Sequence, residues 1–442
     1  MLKIYVRGKK DRDAVKAALN TFYKGWSIEV KTFKGKRDEE AALNILQSEE
    51  DKVPIIVLLG RQEAKFLNLS NIVGYNVVLY RLRYNKVRNA RTIAIAKAIE
   101  NARAIFRLGV SWRNIYIFDH RLLPQLIAEK HPSMDLFFVY TRSSIAMLEK
   151  LIGEKYTLPL LLRKMTGRHL VFDCGKLVAK LVFPDTGLPL VEEKQERKYE
   201  CKITMGDIIN ANEYVLDFHV HYSLKILKSV SEPDEIIVPL SGGKDSLTVL
   251  LLALRVWDKE KITGIYVDTG VDFRENTEYI DYLSDKLGIR IEKIYAPVRE
   301  NIALRGLPTH ENRWCTELKV KALHKKVREV SKEKNVVVVI GDRDSESRSR
   351  SIRPPIRREE NWTVVAPLKM WGTHYVQMFL YKSKIKINPL YEIGFYRTGC
   401  FICPSLRSWE IFLLKESRII NRILKEQPHI VKDFLKSKNW EN

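Results

Sequence analysis

Apolar positions in the first 125 residues follow two alternating periods. Short strand-like runs at 2–7, 27–33, 54–59, 76–82 and 115–118 are separated by segments near 11–22, 38–48 and 88–107, where apolar residues recur every three to four positions. This interleaving predicts an α/β domain over 1–125. Beyond it the pattern loosens. A hairpin is expected around Phe172 to Pro184, and the charged stretch Glu192 to Glu200 reads as a linker, so 126–203 is predicted to be a connecting region with a small β element.

From 204 an amphipathic segment leads into Glu235–Leu240, a nearly continuous apolar run. Strands predicted at 262–267, 290–295 and 335–340 then alternate with helical periodicity at 245–256, 275–287 and 316–330. Uninterrupted apolar strands joined through helices predict a parallel sheet covered on both faces. In such sheets ligands sit at the carboxyl ends of the strands. The segment 204–442 is therefore expected to form a second α/β domain that carries the chemistry.

Composition narrows the function classes. With 45% hydrophobic residues, 21 Gly and 16 Pro, the chain has neither disordered nor fibrous character. The 76 basic against 54 acidic residues give a net charge of +22, which points to a polyanionic substrate or partner. The excess is +14 over 1–230; within the remainder, 231–300 is net −5 and 301–442 is net +13. No apolar run approaches the roughly 18–20 residues that span a bilayer. The opening Met1–Arg7 reads as a strand rather than a signal peptide, so a cytoplasmic protein without membrane contact is expected. The five cysteines (Cys174, Cys201, Cys315, Cys400, Cys403) lack disulfide-framework spacing, which suits a reducing compartment and leaves thiol or metal chemistry open.

The candidate chemistry begins directly after Leu240. Ser241-Gly242-Gly243-Lys244-Asp245-Ser246 joins a buried strand to a helix, so its glycines permit close backbone approach and the helix start offers amides to a phosphate. The spacing is not that of a Walker A loop. Asp268-Thr269-Gly270 closes the next strand, and Arg313-Trp314-Cys315-Thr316-Glu317-Leu318-Lys319 opens a basic helix. Gly341-Asp342-Arg343-Asp344-Ser345-Glu346-Ser347-Arg348-Ser349-Arg350 follows the last apolar strand, with guanidinium forks suited to phosphate or sulfate. Gly399-Cys400-Phe401-Ile402-Cys403 holds a C-x-x-C pair, whose spacing suits a metal half-site or a redox dithiol.

Together these ordered motifs, across about 241–404, resemble the phosphoadenosine phosphosulfate reductase-like family of the adenine nucleotide α-hydrolase superfamily. The resemblance implies a Rossmann-like parallel sheet sandwich, with the additional N-terminal α/β domain outside it. It implies an adenine nucleotide held by Ser241, Gly242, Gly243, Lys244, Asp245 and Ser246, with Asp268, Thr269 and Gly270 beside the nucleoside. Arg313, Lys319, Gly341, Arg343, Glu346, Ser347 and Arg350 would complete the nucleotide site. Lys244, Arg343, Cys315, Cys400 and Cys403 would be the catalytic residues. The three cysteines could hold an iron–sulfur cluster or zinc, whereas Cys174 and Cys201 lie outside the family domain and are expected to be bystanders.

The reductase branches place a nucleophilic cysteine on a tail reading roughly E-C-G-x-H, and Asp433–Asn442 contains none. Two enzyme readings follow. In one, a sulfonucleotide (phosphoadenosine phosphosulfate or adenylylsulfate) is reduced, or its sulfuryl group transferred, through Cys315, Cys400 or Cys403 with a thiol or sulfur-donor protein as partner. In the other, ATP with magnesium adenylates tRNA or another RNA ahead of sulfur transfer, which the +22 charge favours. A silent nucleotide-binding module is the third reading.

Overall fold

The computed structural model describes residues 2–36, 38–50, 52–196 and 200–440. The N-terminal unit holds four parallel strands, β1 (Leu2–Val6), β2 (Ile28–Thr32), β3 (Ile55–Leu59) and β4 (Val77–Arg81), in the order β2-β1-β3-β4. Its expected helices form at Lys9–Phe22, Glu39–Gln47 and Thr92–Leu108. β1 and β3 are apolar at nearly every position because helices cover both faces, and every residue of β3 is buried. A short ribbon, β5 (Ser111–Trp112) with β6 (Tyr116–Ile117), closes this unit.

The connecting region is larger than the predicted hairpin. It contains β7 (Asp135–Phe138), β8 (Leu160–Arg163), β9 (Arg168–Asp173), β10 (Lys176–Val182) and β11 (Leu190–Lys194), an antiparallel meander of five strands. The β9–β10 hairpin, the one expected, turns through Cys174 and Gly175, both at positive φ (47° and 74°). Positive φ at both central residues is what a two-residue turn between twisted strands requires. A disulfide joins Cys174 to Cys201, with Cα atoms 5.9 Å apart. The two cysteines expected to be bystanders in a reducing compartment thus tie the hairpin to the end of the linker; Arg197, Lys198 and Tyr199 of that linker lie outside the described residues.

The third unit carries the anticipated βα repeats: β12 (Glu235–Leu240), β13 (Ile262–Asp268), β14 (Arg290–Tyr295), β15 (Val336–Val339), β16 (Ile356–Glu359) and β17 (Trp362–Val365). Their order is β14-β13-β12-β15-β17-β16, parallel except for β16 at the edge. The chain leaves β12 toward β13 on one side and returns to β15 on the other. That reversal opens a crevice beyond the carboxyl ends of β12 and β15, where an open α/β sheet places its ligands. Ser241–Ser246 and Gly341–Arg350 are the loops bordering it. No helix among the described residues is long and apolar enough to cross a membrane.

Buried charge links the units. Arg103, from the helix Thr92–Leu108, pairs with Asp344, and Asp135 at the start of β7 pairs with Arg343 at 2.7 Å. All four side chains are at most 3% exposed. One loop that the sequence assigns to the third unit is therefore held by residues of the other two.

Candidate functional site

A cavity of about 350 Å³ occupies the crevice. The loop after β12 supplies Ser241, Gly243, Lys244, Asp245 and Ser246; the basic helix supplies Arg313, Cys315 and Lys319; the loop after β15 supplies Gly341, Arg343, Glu346 and Arg350. The C-terminal segment adds Tyr391, Tyr396, Arg397, Thr398, Cys400 and Cys403. Motifs separated by 22 residues (Lys319 to Gly341) up to 162 (Ser241 to Cys403) thus meet because the parallel strands align their carboxyl ends.

Local hydrogen bonds shape the loop. Gly242 takes φ 71°, and Gly243 precedes the helix Lys244–Ala253. Ser246 Oγ donates to the Gly243 carbonyl at 2.8 Å. Asn388 Nδ2 donates to the Gly242 carbonyl (3.1 Å) and to Asn276 Oδ1 (2.8 Å), while Asn276 Nδ2 donates to the Gly399 carbonyl (2.8 Å). Two asparagines therefore clamp the loop to the C-x-x-C segment. Gly341 lies so close that a Cβ there would come within 3.0 Å of the Asp245 backbone.

The Asp268-Thr269-Gly270 segment does not line the cavity. Asp268 Oδ1 accepts from the Gly270 amide, Thr269 donates to Asp272 Oδ2 at 2.7 Å, and Asp272 bridges to Cys400. These residues brace the floor beneath the thiols. Ser347 likewise sits outside the lining and caps the short helix Arg348–Ile352.

The cations divide into two groups. Arg343 is 1% exposed and donates through Nε to Asp245 and through Nη1 to Asp135, each at 2.7 Å. Arg350 pairs with Glu346 and, at 3.3 Å, with Asp342; Lys244 pairs with Asp245 at 3.2 Å and donates to the Tyr396 carbonyl. The arginines expected to neutralise an anion are thus already neutralised. Arg313, Arg397 and Lys319 make no ion pair with a carboxylate within 4.0 Å among the described residues, although Asp272 acts on Lys319 and Glu410 on Arg397 from farther away. Arg313 Nη1 donates to Ser405 Oγ (3.0 Å) and its Nε is buried without a partner. Arg397 lies near the Tyr396 ring at 5.8 Å. No motif drew attention to Arg397, Tyr396 or Asp135, because their contacts are set by tertiary structure alone.

Lys319 Nζ donates to Cys400 Sγ at 2.9 Å, and Thr269 Oγ1 lies 3.4 Å from the same sulfur. Burial pushes the Cys400 thiol up to about 12 against the opposing pull of Lys319. Burial also opposes the charge on Lys319, yet Cys400 and Asp272 hold it above the ordinary lysine range. Cys315 is buried and Cys403 partly so. All three thiols line one cavity, as expected. They do not, however, make the proposed metal site: Lys319 occupies the approach to Cys400, and no three His, Cys, Asp or Glu side chains converge as ligands among the described residues. The donor set does not fit a cluster or zinc.

Residues 235–406 match the family model described as the phosphoadenosine phosphosulfate reductase domain. An uncharacterised protein of Methanocaldococcus jannaschii is 30% identical over 242 residues, covering 53% of this chain and 47% of that protein. An adenosine 5'-phosphosulfate reductase of a Chelativorans species is 27% identical over 168 residues, covering 37% of this chain and 66% of that enzyme. The chain spans about half the length of the Methanocaldococcus relatives it matches. Among solved structures, a Candida auris phosphoadenylyl-sulfate reductase in a phosphate complex aligns with a TM-score of 0.33 at 15% identity, over 43% of this chain and 97% of that one.

Proposed function

Because the chain carries a domain of the phosphoadenosine phosphosulfate reductase family over 235–406, we propose that its cavity binds an adenine sulfonucleotide and that Cys403 and Cys400 reduce it. The loop Ser241–Ser246 offers backbone amides to the anionic end, and the unpaired Arg313 and Arg397 supply the charge. The observation behind the thiol assignment is the contact between Lys319 and Cys400 on the cavity wall. Cys403, the more exposed sulfur, attacks the sulfonyl sulfur as thiolate; the S–O bond to the nucleotide breaks and the nucleotide leaves with both bonding electrons. Cys400 then attacks the sulfur of Cys403, forming a disulfide and releasing sulfite, with Lys319 stabilising the Cys400 thiolate. An external dithiol reduces the disulfide.

The test is anaerobic incubation with adenylylsulfate or phosphoadenosine phosphosulfate, with dithiothreitol, followed by chromatography for sulfite and nucleotide. With dithiothreitol left out, Cys400→Ser should release nucleotide once and retain a sulfonate adduct on Cys403, visible by intact mass. Absence of both sulfite from the native protein and an adduct on the variant would remove the reading. A second reading rests on the net charge of +22: ATP, magnesium and tRNA in the same assay would instead yield AMP and pyrophosphate, stimulated by the RNA.

A further inference from the structure

A second chamber of about 170 Å³ opens beside the nucleotide cavity, with Glu346, Tyr396, Arg397 and Ser405 lining both. Its far wall comes from outside the family domain: the antiparallel sheet contributes Phe137, Arg163 and His169, with Phe183 just beyond β10. We propose that it is a subsite for a second substrate, a ring-sized molecule bearing an N–H or O–H donor and a carboxylate or phosphate. This rests on the nucleotide occupying the first cavity.

Size comes first. Roughly 150 Å³ admits a benzene ring, so this chamber takes one six-membered ring rather than a folded macromolecular element. Its walls suit a planar group. Phe183 stacks on Trp409 (5.3 Å between centroids, 19°), His169 lies 4.6 Å from Phe183, and Phe137 lies 4.8 Å from Tyr396.

Polarity sets the rest. His169 is 5% exposed, and burial lowers its imidazole to about 3, so it is neutral. Nδ1 faces the Gly167 carbonyl at 2.8 Å and must carry the proton. Nε2 is then an acceptor, with no protein partner among the described residues, and calls for a donor on the ligand. Charge favours an anion. Arg163 donates to the Ser345 carbonyl at 2.7 Å and acts on the buried Asp135, but its Nε is buried without a partner; Arg397 makes no ion pair among the described residues and acts on Glu410 from a distance. The other charged groups are occupied. Glu346 pairs with Arg350, Arg407 and His310 face Asp185 at 3.5 and 3.6 Å, and burial raises the Glu410 carboxyl, which accepts from the Arg407 amide.

The probes are 3-fluoro-4-hydroxybenzoate and the corresponding aryl phosphate, followed by fluorine NMR on the full chain with and without saturating AMP. Saturable binding of at least one probe, changed less than twofold by AMP, is expected. The O-methyl ether, which lacks the donor, and the benzyl alcohol, which lacks the anion, should each bind at least tenfold more weakly. His169→Leu should lose tenfold for the hydroxylated probe while AMP affinity holds. Absence of saturable binding, competition by AMP, or equal binding of either control compound would overturn the proposal, and the control compounds decide even if the variant fails to fold. If AMP fails to bind while the ring probe binds, the nucleotide reading falls, and with it the assignment of the chamber to a second substrate, leaving a ring-binding site alone.

Discussion

Replacing Arg343 with Met separates two roles for this residue, contact with an anion and support of the fold. Its partner Asp135 is fully buried and accepts from Arg343 Nη1 (2.7 Å), the Thr373 amide (2.9 Å), Thr373 Oγ1 (2.7 Å) and the Tyr396 hydroxyl (2.8 Å). Asp245, the other partner, keeps Lys244 at 3.2 Å. Arg343→Met therefore strands one buried carboxylate, for which about 3–5 kcal/mol of lost stability is the usual cost. At about 2–4 °C per kcal/mol for a cooperative unit of 150–250 residues, the thermal midpoint should fall by roughly 6–20 °C. The pH dependence supplies a second check. Burial opposes the charge on Asp135, but Arg343 and Arg163 hold its carboxyl far below the usual range. A depressed carboxylate contributes stability above its unfolded value of about 3.9 and loses it as the pH falls through the folded value. The deficit of the variant should be full at pH 7 and narrow toward pH 4, where the stranded carboxylate takes up a proton. Scanning calorimetry at pH 7.5, 5.5 and 4.5, with nucleotide affinity measured on folded variant at low temperature, is the assay. An unchanged midpoint with abolished nucleotide binding would refute the structural role.

Three other outcomes are expected. Lys319→Met removes the group that draws the Cys400 thiol down, so its alkylation by iodoacetamide at pH 8 should slow about tenfold for each unit of further rise; an unchanged rate would break the assigned contact. Buried His120, held near 4, and His169 and His374, held near 3, are neutral in the fold but titrate near 6.5 when unfolded. Their depressed folded values make stability fall as the pH drops below 6.5, by about 1 kcal/mol each at pH 5.5, measurable as a shift in the urea midpoint between pH 7.5 and 5.5. Gly175→Ala should destabilise the hairpin by about 1–3 kcal/mol, since φ is 74° and a Cβ would lie 2.1 Å from Trp112; a neutral effect on the thermal midpoint would contradict the turn geometry.

The βα repeats were legible because parallel strands covered on both faces leave uninterrupted apolar runs such as Val336–Val339, and the helices between them keep their own period. The antiparallel meander was less so. β11 is exposed along most of its length and β8 is a short apolar run with no alternation, so neither carries the period-two signal that revealed the hairpin. The C-terminal helices Ser408–Glu416, Ile419–Glu426 and Pro428–Ser437 are short and follow one another closely, which hides their boundaries. At the site, Gly243, Gly341 and the three cysteines line the cavity, whereas Gly242 and Gly270 do not. Which cations remain unpaired was not legible, because pairing depends on Asp135, 208 residues from Arg343, and on Asp245, 98 residues away. A motif arginine announces a guanidinium, and only the fold tells what it holds.

The pairs Arg103–Asp344 and Asp135–Arg343 also bear on how this chain can be divided. A fragment beginning near residue 204 would keep every recognised motif yet lose Arg103 and Asp135, leaving Asp344 and Arg343 without these partners at a surface never meant to meet water. The segment matched by the family model, 235–406, is therefore not self-contained in this fold. Any rearrangement that transplanted it would have to carry the upstream segments along or replace both charges at once, so the three units are expected to have been inherited together.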